Sequence, residues 1–334
     1  MIVFQILLFS FFFYPPLEIR AAAPGLAKFI KNGYNRKGMY LHRAQQPEIQ
    51  HRSNALFSYI TSFIQNPREM LIFLLLSMPG RIMALSAHEF AHAWVADRCG
   101  DPTARLMGRI TLNPLKHFDL VGTLCMVLFV FGWAKPVPIN PNNFRHYRDD
   151  DLKVSLAGVT MNLTLFFGGC AVMYGVVWLA LRQVPYQSLY WTSSELVRTT
   201  VDGVPALCDA EYWYSVADLL RYPWAMWDVL IAPVFGQTAG YLYQMLYYFV
   251  STNLVLAVFN LIPIPPLDGY HVLNDLVLKR PLFADQKAVG IGMAVMLVAV
   301  YTGWLDRGLS AVYDFVLSGA GNAMMSLLRA VGLF

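Results

Sequence analysis

Charge is what this chain has least of. Asp, Glu, Lys and Arg make up 14% of its 334 residues, against about 25% in ordinary soluble domains. So few charges cannot cover the surface of a soluble globule of this size. The hydrophobic residues, 57% of the total, are gathered in runs near or above roughly 18 residues, the length that crosses a bilayer. Cysteine is scarce as well. Cys99, Cys125, Cys170 and Cys208 stand far apart with no CxxC pair, which excludes a zinc knuckle and gives no clear disulfide framework. There is no basic stripe interleaved with aromatics, no internal repeat and no low-complexity tract. The net charge of +4 is spread over several loops, which suits membrane topology and sets nucleic acid aside as a partner. What remains is an all-α multi-pass membrane protein of about four to six transmembrane helices.

Taken in order, residues 1–64 form an N-terminal extension. Its apolar start, ended by Pro15-Pro16, is short for a span and is at most a weak anchor. Residues 17–64 are polar, basic and poorly ordered. The core, 65–287, opens with a span over about 68–96, kinked at Pro79-Gly80. The apolar stretch 119–133 is too short to cross and reads as a tilted or re-entrant segment. Two short strands flank it: 108–113, from its alternation, and 134–140, held extended by prolines. A β-hairpin or re-entrant segment is therefore expected there. Further spans cover about 154–181 and 229–262. The C-terminal part, 288–334, supplies a transmembrane helix to about 304 and an amphipathic helix near 309–333.

Lys and Arg mark the loops after residue 96, before 154 and after 269, whereas 182–226 is acidic and rich in Trp and Tyr. The positive-inside rule then puts the first three in the cytoplasm and 182–226 outside. The same rule conflicts with the basic 17–64 segment, which this topology places outside.

At the end of the first span stands His88-Glu89-Phe90-Ala91-His92. On a helix the two histidines are one turn apart on one face and can reach a single metal ion. Glu89 lies beside them, placed to take a proton from a metal-bound water. A zinc enzyme usually takes three protein ligands, and both standard soluble completions fail here. HExxHxxGxxH would need Gly at 95 and His at 98, where the chain has Val95 and Arg98. No glutamate occurs between Glu89 and Glu195. Asp97, Asp101, His117, Asp119, Asp268 and His271 are left as candidates. Asp268 stands out, because it ends a long apolar span inside Pro-Pro-Leu-Asp-Gly, a break that stops the helix and presents the carboxylate.

Three segments together resemble the site-2 protease family of intramembrane zinc metalloproteases. They are His88-Glu89-Phe90-Ala91-His92, Gly158-Val-Thr-Met-Asn162 and Asn260-Leu-Ile-Pro-Ile-Pro-Pro-Leu-Asp268-Gly269. The likeness runs from about Asn66 to about Lys287, and its form is that of the compact bacterial branch without a PDZ domain. The resemblance implies one Zn²⁺ held by His88, His92 and Asp268, with Glu89 as general base. It also implies that Asn162 steadies the peptide or its oxyanion. Val159 stands where the family often has proline, and Leu120 where relatives commonly have proline; these departures bear on substrate fit rather than on the metal.

The implied activity is hydrolysis of peptide bonds in or near transmembrane segments of membrane-protein substrates, in the cell (inner) membrane, with the active site toward the cytoplasm. The short strands would offer an edge for an unwound substrate. Two alternatives stay open: a catalytically silent homologue that only binds membrane helices, and a metal transporter. The intact Glu89 argues against the first. The lack of ionisable groups within 154–181 and 229–262 argues against the second.

Overall fold

The computed structural model describes residues 64–129, 134–183, 200–201, 204–207, 214–215, 226–278, 286–302 and 304–331. The expected N-terminal extension lies outside the described residues apart from its last position. So do residues 130–133, most of the 182–226 loop and residues 279–285.

Helix α1, Pro67–Cys99, has Pro at its first turn and Glu69 near its N-terminus, as the missing amide partners and the helix dipole favour. It runs through Pro79 and stops at Gly100, which adopts φ 113°. There Gly100 N–H bonds Asp97 O and Asp101 N–H bonds Ala96 O, a Schellman ending that needs a residue tolerant of the left-handed region. A one-turn helix α2, Thr103–Leu106, follows. Helix α3, Leu120–Phe129, comes next, its first turn capped by Asp119 Oδ1 accepting from Gly122 N–H at 2.8 Å. Helix α4, Tyr147–Gln183, carries Asp149 and Asp150 in its first turn.

The expected span 229–262 is interrupted. A π-helical turn, Trp227–Ile231, leads into the short helix α5, Ala232–Phe235. Gly236, at φ 92°, then breaks the chain before α6, Gln237–Asn260. After an irregular turn come α7, Asp268–Leu273, a π-helical turn at Asn274–Leu278, α8, Gln286–Tyr301, and α9, Trp304–Ala330. On α9 the buried side chains Leu309, Tyr313 and Leu317 recur every four residues while Phe315 is exposed, the pattern of an amphipathic helix.

Among the described residues three helices are long and apolar enough to cross a membrane: Pro67–Cys99, Tyr147–Ala180 and Gln237–Asn260. The four to six expected spans are not reached within that set. The strands expected at 108–113 and 134–140 are not formed. Both segments are extended or turned, and a single antiparallel bridge pairs Phe118 with Ala134. The physical reason is donor supply, since Pro136 and Pro138 have no N–H for a ladder. Among the described residues the strands are β1, Thr200–Val201, β2, Val204–Leu207, and β3, Tyr214–Ser215, in antiparallel order β1-β2-β3. Thr200 faces Pro205 and Ala206 faces Ser215. This small sheet lies in the segment read from sequence as an acidic loop.

The described chain divides into two compact units, one built from residues up to 169 with 248–313, the other from 170–247 with the residues after 313. In the first unit α1, α4 and α6 pack through small residues. A Cβ on Gly80 would come within 2.9 Å of the Phe249 backbone. Phe73 and Tyr248 meet edge to face at 5.5 Å. Along α1 from Ala84 to Cys99, its partners in and just before α4 run backward, from Asn162 through Val154 to Arg145. The two helices are therefore antiparallel there. In the second unit Trp227 stacks obliquely on Tyr247 at 5.7 Å, and Gly240 lets α6 approach Ala232.

The junction after α1 is organised by Asp101, whose side chain is wholly buried. Its carboxylate accepts from Thr103 N–H and from the Thr103 hydroxyl, from Asn140 N–H at 2.7 Å and from Asn143 Nδ2 at 2.8 Å. Burial pushes its pKa up, but the bonds from Thr103, Asn140 and Asn143 outweigh this and leave it below its ordinary value. A carboxyl whose folded pKa is depressed contributes stability above its ordinary pKa and loses it as pH falls through the folded value. Asp101→Asn is expected to destabilise the protein in detergent by about 1–3 kcal/mol at neutral pH. In thermal unfolding the gap from wild type should be full at neutral pH and narrow progressively as acid titrates the carboxylate below its ordinary range; a pH-independent gap would refute this account.

Candidate metal centre

His88 and His92 lie on α1 one turn apart, buried on the same face, with ring centroids 4.6 Å apart. The second half of the site comes from the break after α6. Asn260 ends the helix, Leu261 to Leu267 run irregularly through three prolines, and Asp268 starts α7. Gly269 sits so close to the Leu261 carbonyl that any Cβ would collide with it. This closeness folds the chain back and directs Asp268 to α1.

Each imidazole is fixed by its outer nitrogen. His88 Nδ1 bonds Asn162 Oδ1 at 2.6 Å, and His92 Nδ1 bonds the Val154 carbonyl at 2.7 Å. Both partners are acceptors, so each Nδ1 carries the hydrogen and each Nε2 presents a lone pair. Those two Nε2 atoms are 3.0 Å apart, and each is 3.3 Å from Asp268 Oδ2. Two imidazole nitrogens and a carboxylate oxygen thus converge on one point. Such a set is stable in a buried position only when positive charge is shared among its members, as a metal ion would supply. Ligand bonds of about 2.0–2.2 Å in tetrahedral zinc place donor atoms about 3.3 Å from one another, close to the spacing seen here. The residues present fit a zinc ion.

Gly158 makes the approach of α4 possible. A Cβ there would lie 2.5 Å from His92 Nε2 and 2.6 Å from His88 Nδ1. Asn162, completely buried, also donates through Nδ2 to Ala84 O at 3.3 Å and Asn253 Oδ1 at 2.8 Å. Its amide is therefore engaged on both ends with protein groups, and its visible role is to hold His88. Glu89, 5% exposed, accepts from Val137 N–H through Oε2 at 2.8 Å.

The other candidate ligands are placed elsewhere. Asp97 pairs with Arg105 at 3.2 Å, and Asp101 holds the junction already described. His117 Nε2 bonds Thr111 O at 2.8 Å, Asp119 caps α3, and His271 Nδ1 faces Asp151 Oδ2 at 3.4 Å. Among the described residues, the His/Cys/Asp/Glu cluster close enough to share a metal is His88, His92 and Asp268. Sequence reasoning missed Asn253 and the Val154 carbonyl, neither of which has a local signature.

The model of peptidase family M50 matches residues 81–300. The chain belongs to peptidase family M50. It is an intramembrane zinc metalloprotease, of the kind the sequence resemblance implied, and no PDZ domain is matched. YwhC of Bacillus subtilis, named as a zinc metalloprotease, is 31% identical over 240 residues, 72% of this chain and 85% of that one. Rip2 of Mycolicibacterium smegmatis, likewise named, is 27% identical over 254 residues, covering 75% and 77%. The metalloprotease MmpA of Caulobacter vibrioides shares 32% over 83 residues, 23% of this chain and 21% of its own length. No solved structure matches significantly. The M50 family works in a lipid environment on membrane-protein substrates.

Gly158→Ala is expected to weaken zinc binding about 5- to 150-fold, because overpacking of about 1–3 kcal/mol falls directly on both histidines. Competition with a chromophoric chelator measures this. Unchanged affinity would show that the rings move aside freely.

Proposed function

We propose that His88, His92 and Asp268 hold one zinc ion and that Glu89 is the general base for hydrolysis of a peptide bond in or near a substrate's transmembrane segment. The observation that carries this reading is the convergence of two Nε2 atoms and Asp268 Oδ2 within 3.3 Å, beside a buried glutamate. When bound, zinc supplies Lewis acidity, which polarises the scissile carbonyl and lets water ionise near neutral pH.

The chain's own residues do the rest. Asn162 and the Val154 carbonyl keep both imidazoles in the ligating tautomer. Glu89 takes the proton of the attacking water and returns it to the leaving amine. Asn162 is a positioning residue for His88; a role on the oxyanion would require it to give up Ala84 or Asn253.

The active site is proposed to face the cytoplasm of the cell membrane. The C-terminal end of α1, the N-terminal end of α4 and the segment after α6 all meet at the metal site, and all three adjoin Lys- and Arg-bearing sequence. Single-span membrane proteins are the proposed substrates. The strand-edge docking site expected from sequence has no support from the extended segments actually formed.

Glu89→Gln should keep about one zinc per chain and lose about 10²–10⁴-fold in turnover of a single-span substrate in bicelles. Turnover near wild type would overturn the general-base assignment. Metal flux into vesicles that persists in the variant would favour the transporter reading.

A further inference from the structure

Lys135-Pro-Val-Pro-Ile has an unusual donor pattern. Pro136 and Pro138 have no N–H, so Val137 carries the one backbone donor within 136–138. That donor points inward, to Glu89 Oε2 at 2.8 Å, across 48 residues of sequence. The flanking prolines restrict φ at 136 and 138 and push the residue before each into extended conformations, which fixes the direction of this amide.

The same peptide unit is held from its other end. The carbonyl of Pro136, bonded to Val137 N, accepts from Arg109 Nη2 at 3.3 Å, and the Lys135 carbonyl accepts from the same nitrogen at 2.7 Å. Arg109 is 6% exposed and Val137 8%. Upstream, Lys135 N–H bonds the His117 carbonyl at 2.7 Å, and the His117 ring in turn bonds Thr111 O. A buried guanidinium, one peptide group and a buried carboxylate therefore stand in series. Aligned hydrogen bonds of this kind polarise one another in a low-dielectric interior.

We propose that Arg109 and the Val137 amide form a positioning device for Glu89. Arg109 clamps the 135–136 carbonyls, the prolines hold the peptide plane, and Val137 N–H fixes Oε2, so that Oε1 is the oxygen that takes the proton from water. Arg109 is a positioning residue that acts through the backbone, and it touches neither the metal ligands nor the proton. This inference rests on Glu89 being the general base.

The test uses the full chain in bicelles with a single-span model substrate, reading kcat, KM and zinc content. Arg109→Gln is expected to lower kcat about 10- to 100-fold, with KM within about twofold and zinc still near one per chain. Arg109→Lys, which can still reach one carbonyl, should recover part of the loss. Val137→Pro removes the donor, at the cost of a buried side chain among Ala93 and Ala104; it should lower kcat similarly, and adding Arg109→Gln to it should cost nothing more, because both act through one hydrogen bond.

Additive losses, a loss of zinc parallel to the loss of activity, or an unchanged kcat in Arg109→Gln would each overturn the proposal. Should Val137→Pro fail to fold, the cycle of Arg109→Gln with Glu89→Gln takes its place, since Arg109→Gln must be silent once the carboxylate is gone. High turnover in Glu89→Gln alone would instead refute the general-base reading beneath it.

Discussion

Two imidazole nitrogens and a carboxylate oxygen at 3.0–3.3 Å cannot be neighbours in a low-dielectric interior unless positive charge is shared among them. This constraint organises the first compact unit. It requires both Nδ1 atoms to be committed elsewhere, and Asn162 and the Val154 carbonyl meet that need from α4. It requires α4 to lie close against α1, which Gly158 allows by having no side chain. It also requires the chain after α6 to turn sharply, and the prolines and Gly269 of residues 261–269 provide that turn. Each of these features would be a defect in an ordinary helix bundle, where buried polar groups and helix breakers cost stability.

The surrounding polar contacts share one pattern: side chains satisfy backbone groups that a sheet or helix would otherwise have paired. Asp101 takes the Asn140 and Thr103 amides, Asn113 and Asn140 cap short 3₁₀ turns, and Arg109 takes the carbonyls of residues 135 and 136. Irregular backbone next to a membrane-embedded site is tolerable only when its polar groups are answered within the protein. Here those answers come from the short segment between α1 and α4. That segment contributes no metal ligand but supplies a hydrogen bond to Glu89.

Much of this was legible in the sequence, for physical reasons that differ by element. The i, i+4 spacing of His88 and His92 carries its geometry with it, because helical periodicity is local. Asp268 was legible through its break, since Pro and Gly have strong local conformational effects. The strands expected at 108–113 and 134–140 failed because alternation and prolines report extension, not pairing. Arg109 took two of the carbonyls there, and Pro136 and Pro138 had no amides to give. The Gly236 break inside an apolar run was hidden because hydropathy does not report φ. Partners such as Asn253 for Asn162, or Val137 for Glu89, are set by tertiary packing and leave no mark on neighbouring residues.

The placement of Asp268 also bears on how the protein comes into being. His88 and His92 emerge early in synthesis, on the first helix described, but their third partner follows only after α4 and α6. A nascent or truncated chain that stops short of residue 268 holds an incomplete donor set, however well its first helices have inserted. On the proposed ligand assignment, the capacity to cut neighbours in the same bilayer is withheld until the last part of the core has been made and folded back against the first.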